Sequence, residues 1–251
     1  MERYFEINEK GRNIRCKLYC GDLHKIRRAV IFCTGFGGHK DNKAAEKFAE
    51  RLLSKYKETA LVTFNWPCHG DDVRKKLCLE DCDGYLSSVI AYVKSRYQAE
   101  DLYAYATSFG GYLTLKYISE HGNPFKKAAL RCPAVNMYGT LGERILSQED
   151  WNRLKKGKDV PVGFDRKVLI GQAFLEELKE NDIREREFLE YAEDILILQG
   201  TADEVVSPEE GERFAENNLI EYVPIDGADH RFQDPCKMEE AIKGILRFFA
   251  L

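Results

Sequence analysis

Three polar residues of this 251-residue chain have the types that nucleophilic catalysis needs: Ser108, Asp203 and His230. An imidazole can accept the proton of a serine hydroxyl, and a carboxylate can fix the tautomer of that imidazole and stabilise its positive charge. Each of the three residues follows a run that predicts a β-strand, and they occur in the order serine, acid, histidine. Together they indicate acyl transfer through a serine nucleophile.

Ser108 lies in the sequence Ala-Thr-Ser-Phe-Gly-Gly at 106–111, directly after a predicted strand. A nucleophilic serine on a tight turn from strand to helix needs small residues two positions before and after it, because the backbone is crowded there. Ala106 and Gly110 satisfy that requirement, and Gly111 lets the following helix pack closely. Serine is also a favoured helix N-cap, so this stretch alone leaves both roles open.

The acid and the histidine are weak signals when each is taken alone. Asp203 lies just past a predicted strand end, but an aspartate before a turn is common. His230 follows the last predicted strand, although a single histidine is usually structural or exposed. Glu204 and Asp229 adjoin the proposed triad and could replace Asp203 as the acid. Because ligands of open α/β sheets bind at the carboxyl ends of strands, the three residues together are a strong signal.

A glycine-rich segment, Thr-Gly-Phe-Gly-Gly at 34–38, follows another predicted strand. The oxyanion of a tetrahedral intermediate needs N–H donors, and the amides of Phe36 and Phe109 are the predicted pair. The competing interpretation is a phosphate-binding loop, which would require G-x-G-x-x-G or a terminal Gly-Lys-Ser/Thr, and neither is present. The predicted lining of the substrate pocket is Gly35, Trp66 and Trp151.

The composition excludes several function classes. The chain has 38 basic and 42 acidic residues and a net charge of −4, without the basic patch that nucleic-acid binding requires. No apolar run approaches the length of about 18 residues that a membrane span needs. The N-terminal residues lack the apolar region of a secretory signal, so we expect a cytoplasmic protein without nucleic-acid or membrane partners.

Eight cysteines are present, but no two of them form a C-x-x-C pair. In a chain without an export signal we expect thiols rather than disulfides or zinc ligands. Cys16, Cys33 and Cys132 lie in strand-like runs and are predicted to be small core residues. The sequence predicts no metal site and no cofactor.

These residues must be positioned by the elements between them. Two short strands near 3–8 and 14–20 open the chain, and apolar runs then alternate with helical patterns. The further predicted strands cover 29–33, 59–64, 101–105, 127–132, 194–198 and 220–224. The predicted helices cover 42–55, 84–96, 108–121, 207–217 and 236–249. This alternation predicts an α/β fold with a mostly parallel eight-stranded sheet flanked by helices.

One domain is expected over residues 1–251, with an insertion at 133–192 that breaks the alternation. The insertion is charge-rich and partly helical. Loops of this length inside a compact domain are usually functional or inserted elements. We therefore expect a small lid over the carboxyl edge of the sheet, and a solvated surface excursion is the alternative.

Five stretches of the sequence resemble those of an α/β-hydrolase, and the resemblance extends over nearly the whole chain. They are Gly-Phe-Gly-Gly-His-Lys-Asp at 35–41, Cys-His-Gly-Asp at 68–71, Ser-Phe-Gly-Gly at 108–111, Gly-Thr-Ala-Asp-Glu-Val-Val-Ser-Pro at 200–208 and Gly-Ala-Asp-His-Arg-Phe at 227–232. The chain is similar to small bacterial cinnamoyl (feruloyl) esterases and to serine aminopeptidase-like hydrolases. This resemblance implies that Ser108 is the nucleophile, Asp203 the acid and His230 the base.

The chain departs from the usual pattern of these esterases in loops that would border the acyl pocket. The family usually has His, Asp, Gly and Ser where this chain has Thr34, Asn65, Cys68 and Asp71. None of these changes removes a member of the triad, so they bear on the substrate rather than on catalysis. The resemblance also implies that His39 and His69 brace loops through hydrogen bonds to backbone.

The sequence therefore predicts a serine hydrolase that cleaves a small-molecule carboxylic ester with a short or aromatic acyl group, hydroxycinnamoyl esters being one such class. An amide or peptide hydrolase of the aminopeptidase-like branch is the first alternative. Acyl transfer to an acceptor other than water and a non-catalytic binding protein are the others, because fold alone does not fix function. The oligomeric state is left open by the sequence, and a homodimer is one candidate.

Overall fold

The computed structural model describes residues 1–72, 76–163 and 166–251 and is built on a central eight-stranded sheet. The strands are β1 (Glu2–Glu9), β2 (Arg12–Cys20), β3 (Arg28–Cys33), β4 (Thr59–Phe64), β5 (Asp101–Thr107), β6 (Lys127–Arg131), β7 (Val160–Val162), β8 (Val168–Ile170), β9 (Ile195–Gly200) and β10 (Glu221–Ile225). The central sheet has the order β1-β2-β4-β3-β5-β6-β9-β10, and β7 and β8 form a separate antiparallel pair. Strand β2 is antiparallel to β1 and β4, whereas the other neighbours in the central sheet are parallel.

Helices cover both faces of the central sheet. They are α1 (Lys43–Lys55), α2 (Leu79–Tyr97), α3 (Phe109–His121), α4 (Met137–Gly139), α5 (Gln148–Leu154), α6 (Gln172–Glu180), α7 (Pro208–Asn218) and α8 (Pro235–Phe249). A π-helical turn follows α4 at Thr140–Ile145, and short 3₁₀ turns occur at Leu23–Lys25, Ile183–Glu185 and Leu189–Asp194. In the part of the chain that the structure describes, none of these helices has the length and apolar character needed to cross a membrane.

The inner strands are buried on both faces, which explains their continuous apolar sequences. Along β3, Ala29, Ile31 and Cys33 point into the core that includes residues of α2 and α3. The alternate residues Val30 and Phe32 point into the opposite core, which includes residues of α1 and α8. The sheet therefore separates two apolar layers and holds the strand ends in fixed positions.

The predicted α/β fold with a mostly parallel eight-stranded sheet is confirmed. The helix predicted at 84–96 begins earlier, at Leu79, because buried Leu79 and Cys82 extend its apolar face. Gly84 lies inside this helix, where a Cβ would overlap the guanidinium of Arg12. Gly84 therefore allows Arg12 to pack closely against the helix and does not mark the start of the helix. The β7–β8 pair was not predicted, because strands of three residues carry too little periodicity to recognise.

The predicted insertion at 133–192 contains α4 to α6, the π-helical turn and the β7–β8 pair, and its residues 164–165 lie outside the described residues. It packs on the rest of the fold: the hydroxyl of Tyr112 donates to the carbonyl of Asn181 at 2.9 Å. In the loop after β3, a Cβ on Gly37 would lie 2.7 Å from the carbonyl oxygen of Arg166. The insertion thus reaches the glycine-rich loop, and its action as a lid stays a prediction.

Candidate active site

Ser108 occupies the turn between β5 and α3 with φ 50° and ψ −118°. A positive φ is unfavourable for a residue with a Cβ and persists only where the surrounding contacts impose it. Here Ser108 N donates to the carbonyl of Arg131, and Ala134 N donates to the carbonyl of Ser108, each at 3.1 Å. Within the described structure, the Ser108 side chain makes no capping hydrogen bond to α3, so its hydroxyl does not serve the N-cap role.

The residues after Ser108 are small because backbone segments cross at this turn. A Cβ on Gly110 would overlap the carbonyl group of Cys33 at the end of β3. A Cβ on Gly111 would lie 2.8 Å from the side chain of Pro133. Helix α3 can therefore begin directly behind the serine only with glycine at both positions.

Ser108, His230 and Asp203 form one chain of hydrogen bonds. The distance from His230 Nε2 to Ser108 Oγ is 3.1 Å, and the distance from His230 Nδ1 to Asp203 Oδ2 is 2.8 Å. The Asp203 side chain has no exposed area, and the His230 side chain is 10% exposed. In the tautomer that carries its proton on Nδ1, His230 donates to the carboxylate and leaves Nε2 free to accept the serine proton.

Both oxygens of the Asp203 carboxylate accept hydrogen bonds besides that of His230. Oδ1 accepts from the N–H groups of Val205 and Val206, each at 2.8 Å, and Oδ2 accepts from the amide of Gln199 at 2.9 Å. Burial raises the pKa of Asp203, but the hydrogen bond and charge of His230 and the Val206 N–H outweigh burial. The pKa of this carboxyl therefore lies below its ordinary value, and Asp203 is held as a carboxylate.

The loops after β9 and β10 are joined, which brings the acid and the histidine together. Ala202 N donates to the carbonyl of Ala228 at 3.0 Å, and a Cβ on Gly200 would overlap that same carbonyl. The alternative acids lie outside this arrangement. Glu204 is exposed. The Oδ1 atom of Asp229 accepts the backbone N–H of Gln233 at 2.9 Å.

The glycine-rich loop after β3 lies against the serine turn. A Cβ on Gly35 would lie 3.2 Å from Ser108 Cβ, and Gly38 N closes a tight turn on Gly35 O at 2.9 Å. The rings of Phe36 and Phe109 are in edge contact with centroids 5.3 Å apart. Among the described residues, neither the Phe36 N–H nor the Phe109 N–H donates to a protein acceptor. Both predicted oxyanion donors are therefore without a protein acceptor in the described structure, and their role as an oxyanion hole stays a prediction.

The two tryptophans predicted to line the pocket have structural contacts. Trp66 is fully buried and donates its indole N–H to the carbonyl of Thr34 at 2.9 Å. With no exposed surface it cannot contact a substrate in this conformation, because its hydrogen bond directs the ring into the core under the glycine-rich loop. Trp151 is partly buried within the insertion and donates to the carbonyl of Gly142 at 3.0 Å. Of the three predicted lining residues, only Gly35 is seen to adjoin Ser108.

The loop-bracing roles predicted for His39 and His69 are confirmed. His69 Nδ1 lies 2.8 Å from the carbonyl of Pro67, and burial lowers the pKa of His69 to about 4. His69 is therefore a neutral donor to backbone, packed edge-on against Phe36. His39 Nδ1 accepts the backbone N–H of Asp41 at 3.0 Å.

Two residues beside the triad were missed as site residues. Gln199 is fully buried at the end of β9 and bonds Asp203, and a polar residue in an apolar strand was the signal that could have revealed it. Cys132 was predicted to be a core residue, and it is buried. Its Sγ nevertheless lies within 4.8 Å of an Asp203 carboxylate oxygen and a ring nitrogen of His230. Nothing in the sequence distinguishes this cysteine from the other buried ones.

Sequence comparison relates most of the chain to one family. Residues 65–250 match the prolyl oligopeptidase family, and this range includes Ser108, Asp203 and His230. No curated protein matches the chain by sequence.

Solved structures share the fold over nearly the whole chain. Est1E from Butyrivibrio proteoclasticus, solved with ferulic acid bound, is 17% identical with a TM-score of 0.74, over 98% of this chain and 100% of that one. DcsB in complex with its substrate analogue is 14% identical with a TM-score of 0.77, and the match covers 100% of this chain and 98% of that one. An α/β serine hydrolase without a lid from Xanthomonas campestris is 15% identical with a TM-score of 0.66, and the match covers 99% of this chain and 94% of that one. The predicted α/β-hydrolase fold is thus confirmed.

Proposed function

The chain belongs to the prolyl oligopeptidase family, and from its site we propose that it is a serine hydrolase that cleaves carboxylic esters through an acyl-enzyme. Hydrolase activity accords with the family and with the α/β serine hydrolase among its structural neighbours. The observation that carries the proposal is the continuous hydrogen-bond chain from Ser108 through His230 to Asp203. A non-catalytic binding protein would have no need for a serine held at a strained positive φ at the end of that chain.

In the first step, Ser108 Oγ attacks the carbonyl carbon of the ester as its proton passes to His230 Nε2. Asp203 accepts the hydrogen bond from Nδ1 and stabilises the imidazolium, which is consistent with its lowered pKa. The N–H groups of Phe36 and Phe109 donate to the oxyanion, and each such donor contributes about 3–4 kcal/mol to the transition state.

In the second step, His230 returns its proton to the leaving alkoxide, which departs as an alcohol. A water molecule then attacks the acyl-Ser108 ester while His230 Nε2 takes its proton. Collapse of this second tetrahedral intermediate releases the carboxylic acid and restores the serine hydroxyl. Acyl transfer to another nucleophile would use the same residues with a different acceptor in place of water.

The proposed substrate is a small-molecule ester with a short or aromatic acyl group, a hydroxycinnamoyl ester being one candidate. The support is that Est1E, which has the same fold, binds ferulic acid, and that the Phe36 ring lies next to the predicted oxyanion site. The insertion at 133–192, which touches the glycine-rich loop at Gly37, is the proposed lid. We also propose a cytoplasmic location, because all eight cysteines are thiols, as a reducing compartment favours.

Amide or peptide hydrolysis is the second candidate, because the family match is to prolyl oligopeptidases. The same triad serves both reactions, since an amine can leave with the proton that His230 supplies. The difference lies in the groups that bind the rest of the substrate, and these decide between esters and peptides.

A fluorophosphonate probe tests the nucleophile directly. Wild-type protein is expected to be labelled at Ser108, and Ser108→Ala is expected to lose labelling and to lower kcat by about 10⁴–10⁶-fold. The matched control is Ser95→Ala, at an exposed serine of α2, which should be labelled as the wild type is. Labelling that persists in Ser108→Ala would contradict the proposal.

A substrate panel then separates the two candidate reactions. Short-chain p-nitrophenyl esters, methyl ferulate and aminoacyl or prolyl anilides should be compared by kcat/KM, with Ser108→Ala as the blank. Faster turnover of the esters is expected, with methyl ferulate the sharpest test of an aromatic acyl group. Turnover of the anilides alone would replace the esterase proposal by the peptidase one.

A further inference from the structure

Cys132 follows β6, Asp203 follows β9 and His230 follows β10, and these three strands are neighbours in the sheet. The loops after them therefore converge at one point of the carboxyl edge. There a thiol sulfur, a carboxylate oxygen and an imidazole nitrogen all lie within 4.8 Å of one another. The mechanism above uses the last two atoms and gives the sulfur no part.

The thiol is held in this position by the backbone. Cys132 has a φ of 46°, in the left-handed region, and its N–H donates to the carbonyl of Leu198 in β9 at 2.8 Å. The residue is 1% exposed, whereas the His230 side chain retains 10% exposure. The cluster thus lies just beneath the protein surface, on the side of His230 that faces away from Ser108.

Thiolate, imidazole and carboxylate are the three side-chain ligands that zinc takes, at about 2.0–2.3 Å from the metal. Ligand atoms around a tetrahedral ion are therefore separated by about 3.3–3.8 Å, so small side-chain movements would bring these three atoms to coordination distance. With an ionised thiol, the two negative ligands balance the charge of a divalent ion. A neutral complex suits a buried site, where an uncompensated charge is costly.

We propose that Cys132, Asp203 and His230 form a binding site for Zn²⁺ or Cd²⁺ whose occupation inactivates the enzyme. The site shares two residues with the triad, so the inactivation rests on the proposed function, whereas metal binding itself does not. The metal is here an inhibitor and takes no part in catalysis. A water molecule can complete the tetrahedron.

The Cys132 thiol releases its proton to solvent as sulfur binds the metal. If the metal takes His230 Nδ1, the imidazole proton moves to Nε2, which can then no longer accept the serine proton. Nδ1 is the nitrogen that faces Asp203, whereas Nε2 faces Ser108, so Nδ1 is the atom that can share a metal with the carboxylate. Ser108 thereby loses its base.

Binding is tested by titration with Cd²⁺, because cadmium–thiolate bonds give an ultraviolet charge-transfer band. Wild type, Cys236→Ser and Ser108→Ala should all show the band that Cys132→Ser lacks. Cys236 is the matched control because it is exposed at the start of α8 and is not a member of the Cys132, Asp203 and His230 cluster. Among the residues that the structure describes, a second candidate cluster is formed by Asp83, Glu120 and His121, which has no thiol and cannot contribute to this band.

Inactivation is tested with Zn²⁺ by the rate of fluorophosphonate labelling, each variant being compared with its own metal-free rate. Zinc should slow wild type and Cys236→Ser, and EDTA should restore both. Cys132→Ser should need at least about 100-fold more zinc, since even changes outside the ligand shell can cost that much affinity. Cys132→Ala provides a second variant if Cys132→Ser does not give the native circular dichroism spectrum.

An equal band or equal zinc sensitivity in the Cys132 variants would overturn the proposal, as would the absence of any cadmium band in the wild type. A wild type that shows the band but is neither labelled nor active would instead refute the proposed function and leave the metal site standing. The two failures are therefore distinguishable.

Discussion

Two polar clusters lie in the loops at the carboxyl edge of the sheet, and they are built in opposite ways. One is the triad of Ser108, His230 and Asp203. The other, the loop-bracing cluster, comprises Lys40, Asn65 and Asp71. In that cluster, Asn65 Oδ1 accepts the Lys40 N–H at 2.8 Å, Asn65 Nδ2 donates to Asp71, and the Lys40 ammonium lies 3.2 Å from the Asp71 carboxylate.

The loop-bracing cluster is closed, because its cation, carboxylate and amide bond one another. The triad is open at one end: the hydrogen bonds run from the buried carboxylate to a strained serine that has no capping bond to its own helix in the described structure. A closed network lowers the energy of the folded state, whereas the open one directs its polarity toward a substrate. Substitutions should therefore cost stability in the loop-bracing cluster and activity in the triad.

Asp203→Asn should give the larger effect. The Asn amide cannot hold the imidazole in the tautomer with its proton on Nδ1, so we expect kcat to fall by about 10⁴-fold. Circular dichroism should show a native fold. Glu204→Gln changes the neighbouring exposed carboxylate and should keep the wild-type kcat. A loss in Asp203→Asn no greater than in the control would show that the acid of the triad lies elsewhere.

Asn65→Ala should open the closed cluster. The buried Lys40 N–H would lose its acceptor, and we expect the free energy of unfolding to fall by about 1–3 kcal/mol. Urea denaturation measures the loss, and fluorophosphonate labelling should still occur at Ser108. The exposed residue Asn217 offers the control Asn217→Ala. If Asn65→Ala abolished labelling without lowering stability, the division between the two clusters would be wrong.

The smallest expected effect is on how the free energy of unfolding depends on pH, and it should be specific to Asp203. Its pKa in the folded protein lies below the ordinary value of 3.8, so its contribution is present above that pH and is lost as the pH falls through the folded pKa. The difference in unfolding free energy between wild type and Asp203→Asn should accordingly shrink below pH 3.8. Urea titrations of both proteins at a series of acidic pH values measure it, with Glu204→Gln in parallel. A difference that stays constant over this range would contradict the assignment.

The fold and the chain of triad residues could be predicted because their signals are local. Runs such as Ala29–Cys33 are apolar enough to indicate a doubly buried strand, and turns rich in glycine mark where these strands end. Parallel strands then bring their carboxyl ends to one edge whatever the details of packing. Ser108, Asp203 and His230 could be selected on that basis, and their hydrogen bonds agree with the selection.

The predictions that failed concern residues whose surroundings are determined by contacts with distant parts of the sequence. Trp66 was expected to face the substrate, but a hydrogen bond to Thr34 directs it into the core. Gly84 was taken as a helix start, although it is the helical position against which Arg12 packs. Cys132 was indistinguishable from any core cysteine, because its proximity to the triad depends on the pairing of β6 with β9.

The sequence by itself determined the order of elements, the serine, acid and histidine, and the glycines that a crowded turn requires. Residue types and their periodicity are properties of neighbouring positions, so they can be recognised without coordinates. Only the tertiary structure decided that the Ser108 hydroxyl bonds His230 rather than capping α3, that Asp203 rather than Glu204 holds the histidine, and that a thiol adjoins them both. Those contacts join residues from separate strands, and their distances are fixed by the packing of the whole sheet.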